Sequence, residues 1–377
     1  MNNVSKFVEL FAGLPDERQE WKVKHKLVDI IFIAVVATIA DCDDWEDIEW
    51  FAQEKESWLR KYLELPNGIP SHDTMERVFA WLDPELFRQK FLEWVSLAMT
   101  EDKKGVIAID GKTMCGTKDV KKSPLHVVSA WFSEYKMFMS QVFTGEKSNE
   151  ITAIPELLDI LCVAGHIVTI DAMGTQKNIA AKIIEKEGDY VLALKQNQPN
   201  LFEDVKLFFD THLNTGGEAE YSILNISQKE KGHGRIEHRQ YYITDKIDWL
   251  AQKKDWEKLT SIGMVRSRTE NLSTGAKAEE TRYFISSLPA EPARFAYAVR
   301  SHWGIESAYW SLGTTFNEDG RRGRKNNSAK NLAQHIRLAY DIIKVNGTSK
   351  KIALKRLRKR ALVNDKYLEE LVSYVFK

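Results

Sequence analysis

The chain has 377 residues, with 54 Lys and Arg against 54 Asp and Glu and a hydrophobic share of 43%, so its formal net charge is zero. That length exceeds the roughly 250–300 residues a single core usually holds, which predicts two or more domains, and the apolar share excludes a disordered chain. Cys42, Cys115 and Cys162 form no CxxC pair, which speaks for reduced thiols in a cytosolic protein and against a zinc site or disulfide frame.

The start of the sequence shows no basic-then-apolar signal pattern. The longest apolar run, Leu27 to Ala40, has 14 residues and contains Asp29. A membrane span needs about 20, so the run predicts a buried helix and no membrane partner. Apolar residues recur at helical spacing through 27–40, 45–64, 73–82 and 84–99, and residues 1–100 are expected to form an all-α N-terminal domain. Pro66-Asn-Gly-Ile-Pro70 is a turn, and Ser71-His-Asp-Thr74 offers N-caps for the helix that follows.

The pattern then changes. Val106–Asp110, Val127–Phe132 and Met137–Phe143 are short β-like runs, the last two joined by a hairpin loop. A helix over Glu150–Cys162, a strand over Ile167–Asp171, a helix over Thr175–Lys186 and a strand over Tyr190–Lys195 follow. Three antiparallel strands and then alternating α and β predict a ribonuclease-H-like mixed sheet, an α/β core in which the first and fourth strands are neighbours. A helix near Leu201–His212 precedes strands at Tyr221–Ser227, Glu237–Thr244, Thr260–Arg268 and Arg282–Leu288. Residues 216–290 are therefore expected to be a β-rich insertion into a core made of 101–215 and 291–346. Helices are expected over Pro292–Gly313, Ser328–Val345, Lys351–Ala361 and near Leu368–Phe376, with 347–377 as a basic tail.

Charge is unevenly spread. Asp41–Glu56 holds eight acids and one Lys, net −7, whereas Arg321–Arg360 holds fourteen Lys and Arg against Asp341, net +13. A basic block that dense predicts a polyanion partner over a merely solvated helix face.

Asp110 ends the run Gly105-Val-Ile-Ala-Ile-Asp110 and Asp171 ends Gly165-His-Ile-Val-Thr-Ile-Asp171. Adjacency of their strands would place the two carboxylates together at carboxyl ends, where ligands bind in such sheets. Glu306 lies in His302-Trp-Gly-Ile-Glu-Ser-Ala-Tyr-Trp310, on a broad helix face shared with Val299, His302, Trp303, Tyr309, Trp310 and Gly313. An acid among aromatics on a core-facing side is costly unless paired or metal-bound. A Glu at the rim hydrogen-bonded to His302 is one reading, and metal coordination would account for burial more directly. Three carboxylates so placed suit Mg²⁺ or Mn²⁺, hard ions that take oxygen ligands. Lys231-Gly-His-Gly-Arg-Ile-Glu-His-Arg239 combines flexible backbone with cations suited to phosphate, and Lys195-Gln-Asn-Gln-Pro199 offers amides after the last core strand.

Asp110-Gly-Lys112, Asp171-Ala-Met-Gly-Thr-Gln176, Leu194-Lys-Gln-Asn-Gln-Pro199, Gly232-His-Gly-Arg-Ile-Glu-His-Arg239 and His302-Trp-Gly-Ile-Glu306 stand in that order along the chain. Together they resemble the ISAs1-family transposases of the IS4-like DDE group, above all the H-repeat-associated transposases of enteric bacteria. Leu14-Pro-Asp-Glu-Arg18, Lys24-His25 and Ser71-His-Asp-Thr74 resemble the helical domain that precedes the core in that family. The resemblance implies metal-dependent DNA cleavage and transfer by 3′-hydroxyl attack, with Asp110, Asp171 and Glu306 as catalytic and metal-holding residues. It implies double-stranded DNA, both element ends and target, as partner, a homo-oligomer in the synaptic complex, and a bacterial cytoplasmic, nucleoid-associated location. Expected DNA contacts are Lys112, Lys231, His233, Arg235 and Arg239, together with Arg321, Arg322, Arg324 and Lys325. One departure stands out. The family runs His-Trp-x-Leu-Asp before Phe-x-Glu-Asp, whereas this chain has Tyr309-Trp-Ser-Leu-Gly313 before Phe316-Asn-Glu-Asp319. A DNA-binding remnant impaired in catalysis is therefore the alternative reading, and a metal-dependent nuclease without strand transfer a third.

Overall fold

The computed structural model describes residues 3–19, 21, 23–99, 103–117, 124–144, 150–216, 220–232, 234–321, 323, 325–346 and 352–373. They group into two compact units.

The first unit comprises Met1–Lys103, Gly111–Asn149 and Glu306–Lys377. Its helices are α1 (Asn3–Ala12), α2 (Leu27–Ile39), α3 (Trp45–Glu54), α4 (Glu56–Leu59), α5 (His72–Trp81), α6 (Pro84–Ala98), α11 (Ser328–Asn346), α12 (Leu354–Val363) and α13 (Asp365–Ser373). Strands β2 (His126–Phe132) and β3 (Met137–Thr144) form an antiparallel hairpin within it. The run 27–40 becomes α2, apolar apart from Asp29 and Thr38 and buried at every position but Val28, as a helix without a polar face must be.

Helix α11 packs against α2, α5, α6 and β3 and is buried from Asn331 through Ile343. Three of its polar side chains bond to neighbouring elements there. Asn331 Nδ2 donates to the Phe79 and Leu82 carbonyls at 2.8 Å each, Gln334 Nε2 donates to the Pro84 carbonyl at 2.8 Å, and His335 Nε2 lies 2.7 Å from Thr38 Oγ1. The buried amides thereby serve carbonyls at the end of α5 and the start of α6, groups that burial would otherwise leave unpaired.

Capping follows the sequence in part. Asp44 accepts from the Asp47 N–H and Asp83 from the Glu85 N–H. At α5 the expected Ser71-to-Thr74 caps differ: Ser71 Oγ pairs with Thr74 Oγ1, and Glu49 accepts from the His72 N–H at 2.8 Å.

The second unit comprises Lys104–Asp110 and Glu150–Ile305. Strand β1 (Val106–Thr113) and helix α10 (Pro292–Thr315) are shared by the two units, which divide between residues 110 and 111 and between 305 and 306. In the second unit β1, β4 (Ile167–Ile170), β5 (Asp189–Leu194), β9 (Lys277–Ser286), β8 (Ser261–Asn271), β7 (Arg235–Thr244) and β6 (Leu224–Gly232) lie side by side in that order. Pairing is parallel for β1–β4 and β4–β5 and antiparallel from β5–β9 onward. Helices α7 (Glu150–Ile160), α8 (Lys177–Glu185) and α9 (Pro199–Asn214) complete the unit.

Strands β6–β9, expected as an insertion, continue the core sheet through β9 on β5. The first of them starts at Leu224, three residues later than expected, because the Tyr221 ring instead packs on Phe208 and His212. Val106, Ile167 and Val191 share one apolar cluster with Tyr241, Phe284 and Val299, and Phe295 of α10 is fully buried in it, edge-on to Tyr241 and Phe284. That ring fixes the N-terminal half of α10 on the sheet. Phe295→Ala is expected to lower stability by about 3–5 kcal/mol, the usual loss for a buried aromatic, measured as the shift in a denaturant unfolding curve.

Candidate active site

The parallel register of β1 on β4 ends with Ile109 opposite Ile170. Asp110 and Asp171 are the next residues on the two strands. Parallel strands run roughly 4.8 Å apart and opposed residues leave the same face, so this register carries both carboxylates to one edge of the second unit. Neighbouring first and fourth strands are what the order of elements predicted. Each Asp is half-buried.

Asp171 is held in one orientation. Its Oδ1 accepts from the Met173 N–H at 3.0 Å and the Gly174 N–H at 3.2 Å. Gly174 is required: a Cβ there would overlap Ile170 Cγ2 and stand 2.7 Å from Ile154 Cδ1. Thr175, fully buried, donates its hydroxyl toward the Ala193 carbonyl at 2.6 Å, and Gln198 Nε2 donates to the Thr175 carbonyl at 3.1 Å. Asn197 Nδ2 donates to the Ala172 carbonyl. The amides after β5 thus brace the turn that carries Asp171. Thr175 and Thr169 are functional supports that the sequence reading did not single out.

Thr169, two residues before Asp171, shares a 3.0 Å hydrogen bond with His302 Nδ1 of α10. Burial pushes the His302 imidazolium down to about 4, and the Arg282 charge adds to the shift. Beside it, Trp303 is ringed by the guanidinium groups of Arg239, Arg300 and Arg282, centred 4.7, 5.3 and 5.4 Å from its ring. Arg239 and Arg300 also share Glu230, whose carboxyl the Arg239 hydrogen bond holds below the ordinary range.

Glu306 follows His302 by one helical turn, in the first unit's share of α10. It is exposed, against the expectation of a core-facing acid. The buried line of α10 runs through Phe295, Ala298, Val299, Ile305, Ala308, Tyr309, Leu312 and Phe316. Glu306 and Trp310 fall outside it, so the face they were assigned is the rim of the helix and not its core side. Among the described residues, no group of three or more His, Cys, Asp and Glu side chains is arranged to hold a metal ion.

The expected DNA contacts separate into different environments. Lys231, Arg235 and Lys325 are exposed. Arg239 is 3% exposed and paired with Glu230 and Glu237. Arg321 is 8% exposed, donating to Asp43 Oδ1 at 3.1 Å and the Cys42 carbonyl at 3.0 Å. Lys112 is bound to Glu318 and Asp319. These three cations are spent inside the fold. His233, Arg322 and Arg324 lie outside the described residues. The acidic and basic runs meet in the first unit, where Arg358 pairs with Asp41 and Asp43.

Residues 101–342 match the Transposase DDE domain family, and residues 8–95 match the DDE_Tnp_1-associated family. The chain belongs to the DDE-domain transposases. "Putative transposase YncI" of Escherichia coli O157:H7 is 38% identical over 98% of this chain and 95% of its own length. "H repeat-associated putative transposase YhhI" of Escherichia coli K12 is 36% identical over 98% of both chains. A solved piggyBac transposase synaptic complex with hairpin DNA matches at TM-score 0.43 and 11% identity, over 97% of this chain and 77% of that one. The DDE transposase family implies a ribonuclease-H-like core, in accord with the mixed sheet, and its domains generally use divalent metal ions. No described helix is long and apolar enough to cross a membrane.

The neutral state of His302 gives a pH test. Its folded value lies below the ordinary 6.5, so as pH falls the unfolded chain takes up the proton first. The stabilisation is full above pH 6.5 and is lost progressively toward pH 4. Melting temperature is expected to drop between pH 7 and 5, and His302→Gln to flatten that drop; an unchanged slope would contradict the assignment. His335, also driven down by burial, contributes with the same sign and remains in the variant.

Proposed function

We propose that this DDE-family chain is an active insertion-sequence transposase that cuts DNA strands and joins the freed 3′-hydroxyl to target DNA. Asp110, Asp171 and Glu306 are its catalytic carboxylates. The observation that carries the reading is the β1–β4 register, which ends with an Asp next on each strand. Two carboxylates so placed supply hard oxygen donors, the chemistry Mg²⁺ or Mn²⁺ takes. Glu306, exposed one turn beyond His302, would be the third donor. When bound, such ions supply an activated water and charge stabilisation at the attacking and leaving oxygens.

The chain's own groups do the rest. Backbone N–H groups of Met173 and Gly174 fix the Asp171 carboxylate through its Oδ1. The Thr169–His302 bond ties α10 to β4 within two residues of Asp171. Lys231, Arg235 and Lys325, exposed cations, bind duplex phosphates and position the DNA without reading its sequence. Work on paired element ends implies more than one copy of the chain in the synaptic complex.

A DNA-binding remnant is the second reading, favoured by Gly313 in place of the family's Asp. Tyr309, the other departure, is accommodated: it is buried and stacked on Phe138 at 5.9 Å between ring centres. Cleavage and strand transfer on a duplex carrying the element's own ends, with Mn²⁺, separate the readings. Wild type is expected to give joined products, and Asp110→Asn and Glu306→Gln to lose at least about 100-fold, because even the outer partners of a metal ligand are worth roughly 10–100-fold. Wild-type binding without any product would establish the remnant reading. Cleavage without joining would indicate a nuclease.

A further inference from the structure

We propose that Lys112 is a positioning residue for Asp110, clamped by Glu318 and Asp319, and that it makes no DNA contact; the proposal rests on the catalytic reading of Asp110. Pairing of β1 with β4 stops at Ile109, yet β1 continues to Thr113. The last residues of the strand therefore need another support on the side that β4 has left. Asp110 and Lys112 are two apart on one strand, so their side chains leave the same face. Whatever fixes Lys112 also fixes the strand at the catalytic carboxylate.

The clamp is built from the first unit's own residues. Lys112 Nζ donates to Glu318 Oε2 at 2.5 Å and pairs with Asp319 Oδ2 at 3.3 Å. The Glu318 side chain is wholly buried, and its other oxygen accepts from Arg337 Nη1 at 2.5 Å. Arg337, itself wholly buried on α11, lies with its guanidinium 5.2 Å from the centre of the Phe138 ring. A buried carboxylate between two cations is bound to that place, because leaving it would forfeit charge-assisted hydrogen bonds that a desolvated group cannot replace with water. The Lys112 ammonium is thus tied through Glu318 to the buried face of α11. Thr113 Oγ1, 3.1 Å from His126 Nδ1, and the Met114 N–H, donating to the Leu125 carbonyl at 2.8 Å, secure the next two residues.

Gly313 belongs to the same arrangement. A Cβ there would stand 3.1 Å from Asp319 Oδ2 and 3.9 Å from Lys112 Nζ. With glycine at 313, the Asp319 carboxylate has room beside the ammonium. The departure from the family pattern thus leaves the clamp two acids, and Lys112 keeps a partner on each.

The test compares Lys112→Met, Lys112→Arg and Asp110→Asn with wild type. Mn²⁺ affinity is read by electron paramagnetic resonance, strand cleavage in single turnovers, and affinity for plain duplex DNA as a function of salt. Lys112→Met is expected to lose roughly 10–100-fold in Mn²⁺ affinity and cleavage, with duplex affinity and its salt slope unchanged. Lys112→Arg is expected to stay within about threefold of wild type, since charge and hydrogen bonds persist. A Lys112→Met protein with Mn²⁺ affinity and cleavage within about twofold of wild type overturns the proposal. So does a salt slope reduced by about one, the mark of a lost phosphate contact. If Lys112→Met does not fold, Asp319→Asn, which removes the half-exposed acid, is expected to weaken Mn²⁺ affinity about threefold or more, and no change overturns the clamp. Full cleavage by Asp110→Asn would instead remove the catalytic reading, and the clamp with it.

Discussion

The parallel pairing of β1 with β4 is the constraint on which the rest depends. It joins strands 61 residues apart in sequence and ends one residue before an Asp on each. Long-range parallel pairing carries a loop-closure cost that packing must offset. Here the offset comes from a cluster in which Val106 and Ile167, one from each strand, meet Phe295, Val299 and the interior side of the β7–β9 strands. The strands after β5 are therefore part of what holds the two carboxylate-bearing strands, because β9 lies directly on β5.

Two further supports act on the ends themselves. On the Asp171 side, backbone N–H groups, Thr175 and the amides of Asn197 and Gln198 fix a turn too tight for a side chain at Gly174. On the Asp110 side, the strand runs on to Lys112, whose ammonium is gripped by a buried acid. The two sides use different means: backbone and side-chain amide hydrogen bonds in one case, a desolvated charge network in the other. Burial lifts the Glu318 carboxyl, but Arg337 and Lys112 outweigh burial and hold it below the ordinary range. An ion pair of that kind adds little net stability. Its contribution is geometric: Glu318 is held between Lys112 and Arg337 and cannot shift without lengthening one of the two bonds.

Much of this was legible in the sequence. Runs such as Ile167–Asp171 and Tyr190–Lys195, punctuated by helical periods, gave the elements and the neighbouring first and fourth strands, because burial on both faces of a parallel strand leaves a continuous apolar signature. The sequence leaves Glu306 between the rim and the core side of its helix, with the core side preferred: a helical face 100° wide or more includes both, and only the partners of α10 decide which part is covered. Nor could a charge count tell which cations face outward. Arg321 and Arg358 look like members of a basic block, yet both are buried against Asp41 or Asp43 of the acidic run. Opposite runs nearly 300 residues apart cancel only once folding has brought them together.

The central claim is that Asp110 and Asp171 act as one site, and a double-mutant cycle on metal binding tests it most directly. Mn²⁺ affinity would be measured for wild type, Asp110→Asn, Asp171→Asn and the double variant. If the two carboxylates hold the same ion, their effects are coupled, and the double variant binds little more weakly than either single one. Losses that simply add would mean two independent carboxylates, and would contradict the shared site that the β1–β4 register builds.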